Sequence, residues 1–379
     1  MSHAVQLGLA AAISIAPMAE APNEPKTPPA LSTLAEAVDQ WQKEWIDLES
    51  RGHSSGIVKG PEGMIVATTG RNLKTEPKSP LIFREVKGKW TKETFYTPQV
   101  EGEFCSSPVI CNTEPSNPLS QDYLLFFRVG TQTNNYETAK MRSYMYRSTN
   151  GGVTFVPEAL PAGIIGPTKC KPLAIGNYLV FGSSMEKTGA NEERSTAARI
   201  EIYDRLTKQW HQSPELNGDN AFGAVEPTFC TFTENEQTYV RMLCRNRSKG
   251  FALTAVFTLP KEPEEGFTWP AKLVDSTLPN CDSGLDVVNL PGENNIVFAF
   301  GNFLDSRDSL ELVVSTDGGS QWSAPVTIDQ ESGEFPACIF DEETGLIHVS
   351  YASKAPNNPD DKDVLSIRHC VVNPLKVQL

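Results

Sequence analysis

Ionisable side chains recur at one kind of place in this chain, the ends of apolar strand pairs. At or just before the first strand of successive pairs stand His53, Ser106, Lys169 with Lys171, Glu226, Asp286 and Glu334. At the end of the second strand stand Arg71, Arg128, Glu186, Arg245, Asn302 and Tyr351. Three of these are arginines, whose planar donor forks suit a carboxylate, sulfate or phosphate. Crowded arginines repel one another unless such a group sits between them. Gathered on one face, the set makes a polar pocket rather than a series of solvated rims.

Other chemistries have little to stand on. No G-x-G-x-x-G, Walker loop or G-x-S-x-G occurs, so no cofactor is expected. The eight cysteines show no C-x-x-C and no Cys/His zinc spacing, and they read as buried free thiols within strands. "NNPDDKD" at 357–363 lacks the EF-hand pattern and reads as a solvated loop, leaving no metal expected. The formal charge of −14, from 47 acidic against 33 basic residues, argues against nucleic acid as the main partner. No internal run of 18 apolar residues offers a membrane span.

The elements that must position these residues are short strands. Gly and Pro, 55 together (27 and 28), are spread along the chain as turns between strands require. "GIVKGPEGMIVATTGR" reads as strand, turn, strand, and its shape returns in "SPVICN…DYLLFFRVG", "KPLAIGNYLVFGSSME", "EPTFCTFTENEQTYVRMLCR", "LDVVNLPGENNIVFAFGN" and "FPACIFDEETGLIHVSYAS". A second pair follows each, turning at a polar or Gly cluster with an aromatic in "VKGKW", "STNGGVTF", "LTKQW", "EEGFTW" and "STDGGSQW". Units starting near 53, 106, 170, 225, 284 and 335 lie 51 to 64 residues apart, the size of a four-stranded blade with loops. The fold expected is an all-β, six-bladed propeller over residues 50–379, not a β-sandwich pair or a β-solenoid. In it the aromatic of each outer turn tucks between sheets, and the strand ends converge at one mouth.

Ahead of the propeller, residues 1–21 carry the apolar centre and A-x-A ending of a signal peptide, although no Lys or Arg precedes them. A secreted or extracytoplasmic location is therefore expected, with the cytoplasm as the alternative. Residues 22–34 read as an extended linker. Residues 35–49 read as a short amphipathic helix, with Ala37, Trp41, Trp45 and Leu48 on one face.

The turn "STDGGSQW" and the blocks "GIIGPTKCKPLAIGNYLVFGSSMEK", "AVEPTFCTF", "LPNCDSGLDVVNL" and "SRDSLELVVSTDGGSQW" resemble the sialidase (neuraminidase) superfamily, in particular BNR-repeat, Asp-box sialidase-like proteins. The likeness covers about residues 50–372. It implies a sugar carboxylate held by three arginines, a tyrosine nucleophile partnered by a glutamate, and an aspartate as acid/base in the first blade. Arg51, Arg245 and Arg307 resemble the three arginines and Arg71 an additional one, while Glu226 falls at the glutamate partner. Two departures stand out. No aspartate occurs from 51 to 100, which leaves Glu76 as the nearest stand-in, and the nucleophile position reads Glu334-Phe335-Pro336. Phenylalanine has no oxygen with which to attack.

Three functions follow from these residues. The first is an exo-glycosidase for a terminal acidic sugar of a glycan. Arg51, Arg71, Arg245 and Arg307 hold the carboxylate, Glu76 protonates the leaving oxygen, and Glu226 supports the cation-like transition state or activates water, the latter role with inversion. Arg128, His53, Lys169 and Asp286 join the binding set, and Tyr351 fills in for the nucleophile only if the central strand is displaced. The second is a uronate polysaccharide lyase with His53 or Tyr351 as base. The third is a non-catalytic glycan-binding propeller, the reading that Phe335 favours.

Overall fold

The computed structural model describes residues 41–377 apart from 49–51, 71–77, 116, 118, 132–137, 190–192, 220–221, 261–265, 292–294, 305, 332 and 355–364. Six four-stranded antiparallel sheets follow one another along it. They occupy residues 54–94, 103–158, 173–212, 224–280, 286–329 and 334–372, here blades one to six. The architecture is the six-bladed propeller that the repeat spacing predicts.

The second strand of each blade explains why a ring forms. Met64–Gly70 is buried at every position, and Tyr123–Thr131 and Val297–Gly301 are nearly or wholly so. Both faces of such a strand need cover, and alternate residues supply it to opposite neighbours. Val66 packs against Ala337 and Ile367 of blade six, whereas Ile65 and Ala67 pack toward Ile110 and Leu125 of blade two. One apolar cluster fills each junction around the ring. The outermost strands face water, as the pattern of Lys89–Thr94 shows.

The outer turns do the work assigned to them. Ser315 Oγ accepts from the Gly319 amide at 2.7 Å, and Asp317 Oδ1 accepts from the amides of Ser320 and Gln321 at 3.0 and 2.8 Å. Ser148 and Asn150 repeat the arrangement in blade two, with bonds of 2.9 Å from Gly152 and 3.0 Å from Thr154. Trp322 then packs between blades four and five, and Phe155 between blades one and two. All eight cysteines are free thiols, seven buried and Cys281 partly so.

One element differs from expectation. Within the span read as helix, Trp41–Asp47 is a strand that completes blade six, pairing antiparallel from Trp41 opposite Val372 to Asp47 opposite Ile367. Trp41 and Trp45 are four residues apart, a spacing that fits one helix face and one strand face equally. The open edge of blade six settles the choice, because it supplies backbone partners that an isolated helix at this point would lack. The ring is thus closed by hydrogen bonds between its two ends. Residues 1–40, including the expected signal and linker, lie outside the described residues, as does the 357–363 loop.

Candidate functional site

The first strands share a local device at one end. Ser107, Glu226 and Phe335 have φ of 52°, 53° and 51°, each precedes a proline, and each sits where the ladder shifts register in blades two, four and six. Proline has no N–H to give the ladder, and the bulge turns the preceding side chain off the strand's normal alternation. Lys169 in blade three has φ of 71° and Asp282, before blade five, 68°. Left-handed backbone at non-glycine residues is costly and collects at functional sites.

These bulges and the ends of the second strands meet at one mouth of the ring. Glu226 receives Arg245 Nη1 at 3.1 and 3.3 Å on its two oxygens, and Arg245 Nε donates to Asp282 at 2.8 Å. Arg307 donates to the Asp282 backbone carbonyl and stands 3.6 Å from its carboxylate and 3.7 Å from Glu334. Arg247 binds Glu186 at 2.9 Å. Between them lies the Phe335 ring, with the Arg245 and Arg307 guanidiniums 5.6 and 5.9 Å from its centroid and the His53 ring at 4.7 Å. Gly284 forms the gap. A Cβ there would come to 2.9 Å from Phe335, 3.1 Å from the Glu226 carboxylate and 3.2 Å from the Lys169 stem.

Burial and partners set the charges apart. Burial disfavours charge on Glu226, but Arg245 and Lys169 outweigh it, and its carboxyl lies below the usual range. Glu186 is pushed up by burial, opposed by Arg247 and reinforced by the neighbouring charge of Glu226. Glu334 is pushed up by burial against the pull of Arg307. His53 is brought down to about 4, first by burial and then by Lys78, with Arg307 and Arg245 adding to it. At neutral pH it is therefore an uncharged imidazole. Adjacent carboxyls with opposite shifts are the arrangement that separates an acid from a base.

Of the residues singled out from sequence, Glu226, Arg245, Arg307, His53 and Phe335 come together here. Arg51, Arg71 and Glu76 lie outside the described residues. Arg128 sits in the wall, 6% exposed, donating to Thr168 Oγ1 and, at 3.5 Å, to the Ser184 carbonyl; burial lowers its pKa to about 10.

Three residues need correction. Tyr351 is fully buried between blades five and six and donates to Asp329 at 2.7 Å, because strand alternation turns it sideways rather than to the mouth. Lys169 lies beneath the mouth, 1% exposed, with its ammonium on the carbonyls of Leu285, at 2.9 Å, and Pro336. Asp286 is lower still, fully buried, accepting from Lys171 at 2.9 Å, Thr228 at 2.6 Å and the Cys338 amide at 2.9 Å. These last two groups brace blades across the axis and do not face a ligand.

Sequence reading passed over Arg247, Asp282 and Gly284. Arg247 carried a signal, since "RNR" puts 245 and 247 on one face of an extended strand. Asp282 and Gly284 sit in a connecting loop where no periodicity marks them. Among the described residues no cluster of three or more His, Cys, Asp or Glu side chains is arranged to hold a metal, and no helix is long and apolar enough to cross a membrane.

Residues 81–349 match the BNR repeat-like domain. The chain belongs to that family. Among solved structures, this BNR chain is similar to a Dyadobacter fermentans protein of unknown function, with TM-score 0.63, 12% identity and coverage of 88% of this chain and 98% of that one. It is similar to the Trypanosoma rangeli sialidase bound to the inhibitor DANA, with TM-score 0.55, 12% identity and coverage of 85% and 55%. It is also similar to an α-L-arabinofuranosidase of Fusarium graminearum bound to an iminosugar inhibitor, with TM-score 0.58, 13% identity and coverage of 86% and 94%. The BNR chain spans about half of the trypanosome sialidase. These likenesses establish a shared sialidase-like fold. No curated protein matches the sequence.

Proposed function

We propose that this BNR propeller is an exo-acting glycoside hydrolase for a terminal acidic sugar. The observation that carries the reading is a pair of carboxyls on adjacent blades, Glu226 held ionised and Glu186 raised, beside an arginine that a ligand can reach. Arg307 is that arginine: its side chain is 31% exposed, against 7% for Arg245 and 16% for Arg247, and its carboxylate contacts are the longest of the group. A sugar carboxylate binds Arg307 in exchange for those loose contacts. Arg245, engaged by Glu226 and Asp282, orients the base.

Glu186 takes the role of proton donor that Glu76 was expected to fill. It gives its proton to the glycosidic oxygen as the bond to the anomeric carbon breaks, while Glu226 removes a proton from water attacking the opposite face. With Phe335 offering no oxygen for a covalent intermediate and Glu226 acting on water rather than on the sugar, the product inverts. The fold shared with a sialidase and an arabinofuranosidase is consistent with sugar as substrate. The lyase alternative draws little support: Tyr351 is remote, and an imidazole with a pKa near 4 is a weak base for an α-proton. Phe335 favours the second reading, glycan binding without turnover.

The test is incubation with alkyl glycosides of sialic acid, glucuronic acid and arabinose, with the released anomer followed by NMR through the C3 protons of sialic acid and the anomeric protons of the other two. Hydrolysis of an acidic glycoside with inversion, abolished in Glu226→Gln and reduced at least 100-fold in Glu186→Gln, supports the enzyme. Arg307-dependent binding without release of sugar supports the binding module instead. Release of the neutral arabinoside alone would remove the acidic sugar from the proposal.

A further inference from the structure

A second chain of titratable groups lies on the other side of the fold, where the closing strand meets blades six and one. Glu44 of that strand accepts from His369 Nδ1 at 2.8 Å and from the Trp90 indole of blade one at 3.2 Å. His369 Nε2 lies 3.0 Å from His348 Nδ1, with the rings stacked at 5.1 Å. His348 Nε2 is buried without a hydrogen-bond partner, 3.9 Å from Asp341. That carboxylate is already engaged by Lys59 at 2.9 Å and Thr344 at 2.8 Å. Lys59 also faces Glu343 at 3.5 Å.

The tautomers follow from the partners. A carboxylate only accepts, so His369 Nδ1 carries a proton. At 3.0 Å one of the two facing nitrogens has to be bare, since two N–H groups cannot point at each other. The closed pair therefore admits one proton beyond neutrality, with His369 ion-paired to Glu44 and His348 uncharged. Two solvated imidazoles take up one each.

We propose that the Glu44–His369–His348 chain is an acid-released latch on the strand that closes the propeller. Peeling Trp41–Asp47 from blade six removes Glu44 and opens the pair to water, where the second proton binds. Burial and the neighbouring His369 hold His348 down to about 3 in the closed form, in keeping with this count. For one histidine of ordinary pKa near 6.5, acidification from pH 7.5 to 5.0 favours the open form roughly 30-fold. The latch also bears on the mouth. Residues 48–52 alone separate the strand from His53, and Gly52 packs so closely on Ile367 of blade six that a Cβ would fall 2.6 Å from it.

Hydrogen exchange of the full chain tests the latch, read on peptides spanning 41–47 and 365–372 and corrected for intrinsic rates. At pH 5.0 the opening of both should rise roughly 30-fold over pH 7.5, with peptides of blade four unchanged. In His348→Asn, whose amide oxygen can accept from the Nε2–H of a charged His369, only the proton compatible with closure remains, and the rise should vanish or reverse. The same rise in that variant overturns the proposal. Should the variant not fold, ¹⁵N spectra of the native imidazoles decide: both rings fully protonated at pH 5.0 with the strand still protected overturns it equally.

Discussion

Glu226 governs its neighbours through charge, and that influence is measurable residue by residue. In Glu226→Gln the charge that helps hold Glu186 up is gone, so the Glu186 carboxyl should titrate lower, a shift readable by side-chain NMR. Arg245 would then be left to Asp282 alone, and the melting temperature should fall. His53 gives a second prediction. Its folded pKa of about 4 lies below the unfolded value of about 6.5. Neutral His53 thus adds stability that is fully present above about pH 6.5 and is lost as pH falls toward 4. His53→Asn should flatten the decline in melting temperature over that window. Residue types at strand ends pointed to Glu226 and Arg245 because repeat positions become spatial neighbours, and the family resemblance pointed to Arg307. The same logic failed for Tyr351, Lys169 and Asp286. Position along a strand is legible from spacing, but whether a side chain points to the mouth, sideways into a junction or down the axis depends on backbone geometry that spacing does not encode.

At the scale of elements, the Asp317 side chain bonds only within its own turn, while Arg241 of blade four ties that turn to its neighbour through the Gly318 carbonyl at 2.7 Å. Asp317→Ala leaves the Ser320 and Gln321 amides without their acceptor and should cost about 1 kcal/mol in denaturant unfolding, because those amides are exposed enough to find water. Turnover or ligand binding at the mouth should be unchanged, since Trp322 and its turn lie at the outer edge. The blades were readable because turn chemistry and alternation agreed at every repeat. The closing strand was not. Its two tryptophans fit either period, and the pairing that decides between them joins positions more than 300 residues apart.

The whole ring is braced through its axis. The Lys171 ammonium reaches from blade three to Asp286 and the Val287 carbonyl of blade five, at 2.9 and 2.8 Å. Burial disfavours both charges, yet their mutual attraction wins, lowering the Asp286 pKa and raising that of Lys171. Removing one partner strands the other, so Lys171→Met should destabilise by about 3–5 kcal/mol. Lys171→Met with Asp286→Leu should recover much of the loss, and a double-mutant cycle in guanidinium would measure the coupling. Composition and repeat number forecast the ring; nothing in them foretold a cross-axis ion pair, which needs the two blades already placed opposite one another.

The concealed sulfhydryls give the molecule a built-in record of its own opening. Burial pushes the thiols of Cys105, Cys170, Cys230 and Cys370 up to about 12 and raises that of Cys244 further, so none is a useful nucleophile while the junctions between blades stay packed. Within the sheets the cysteines fall in blades two, four and six, with Cys170 and Cys281 in the connections before blades three and five. Brief alkylation followed by peptide mapping would mark every junction but that between blades six and one as it parts, with Cys281 modified from the outset and Cys370 tagged early in acid if the ring gives way at its seam.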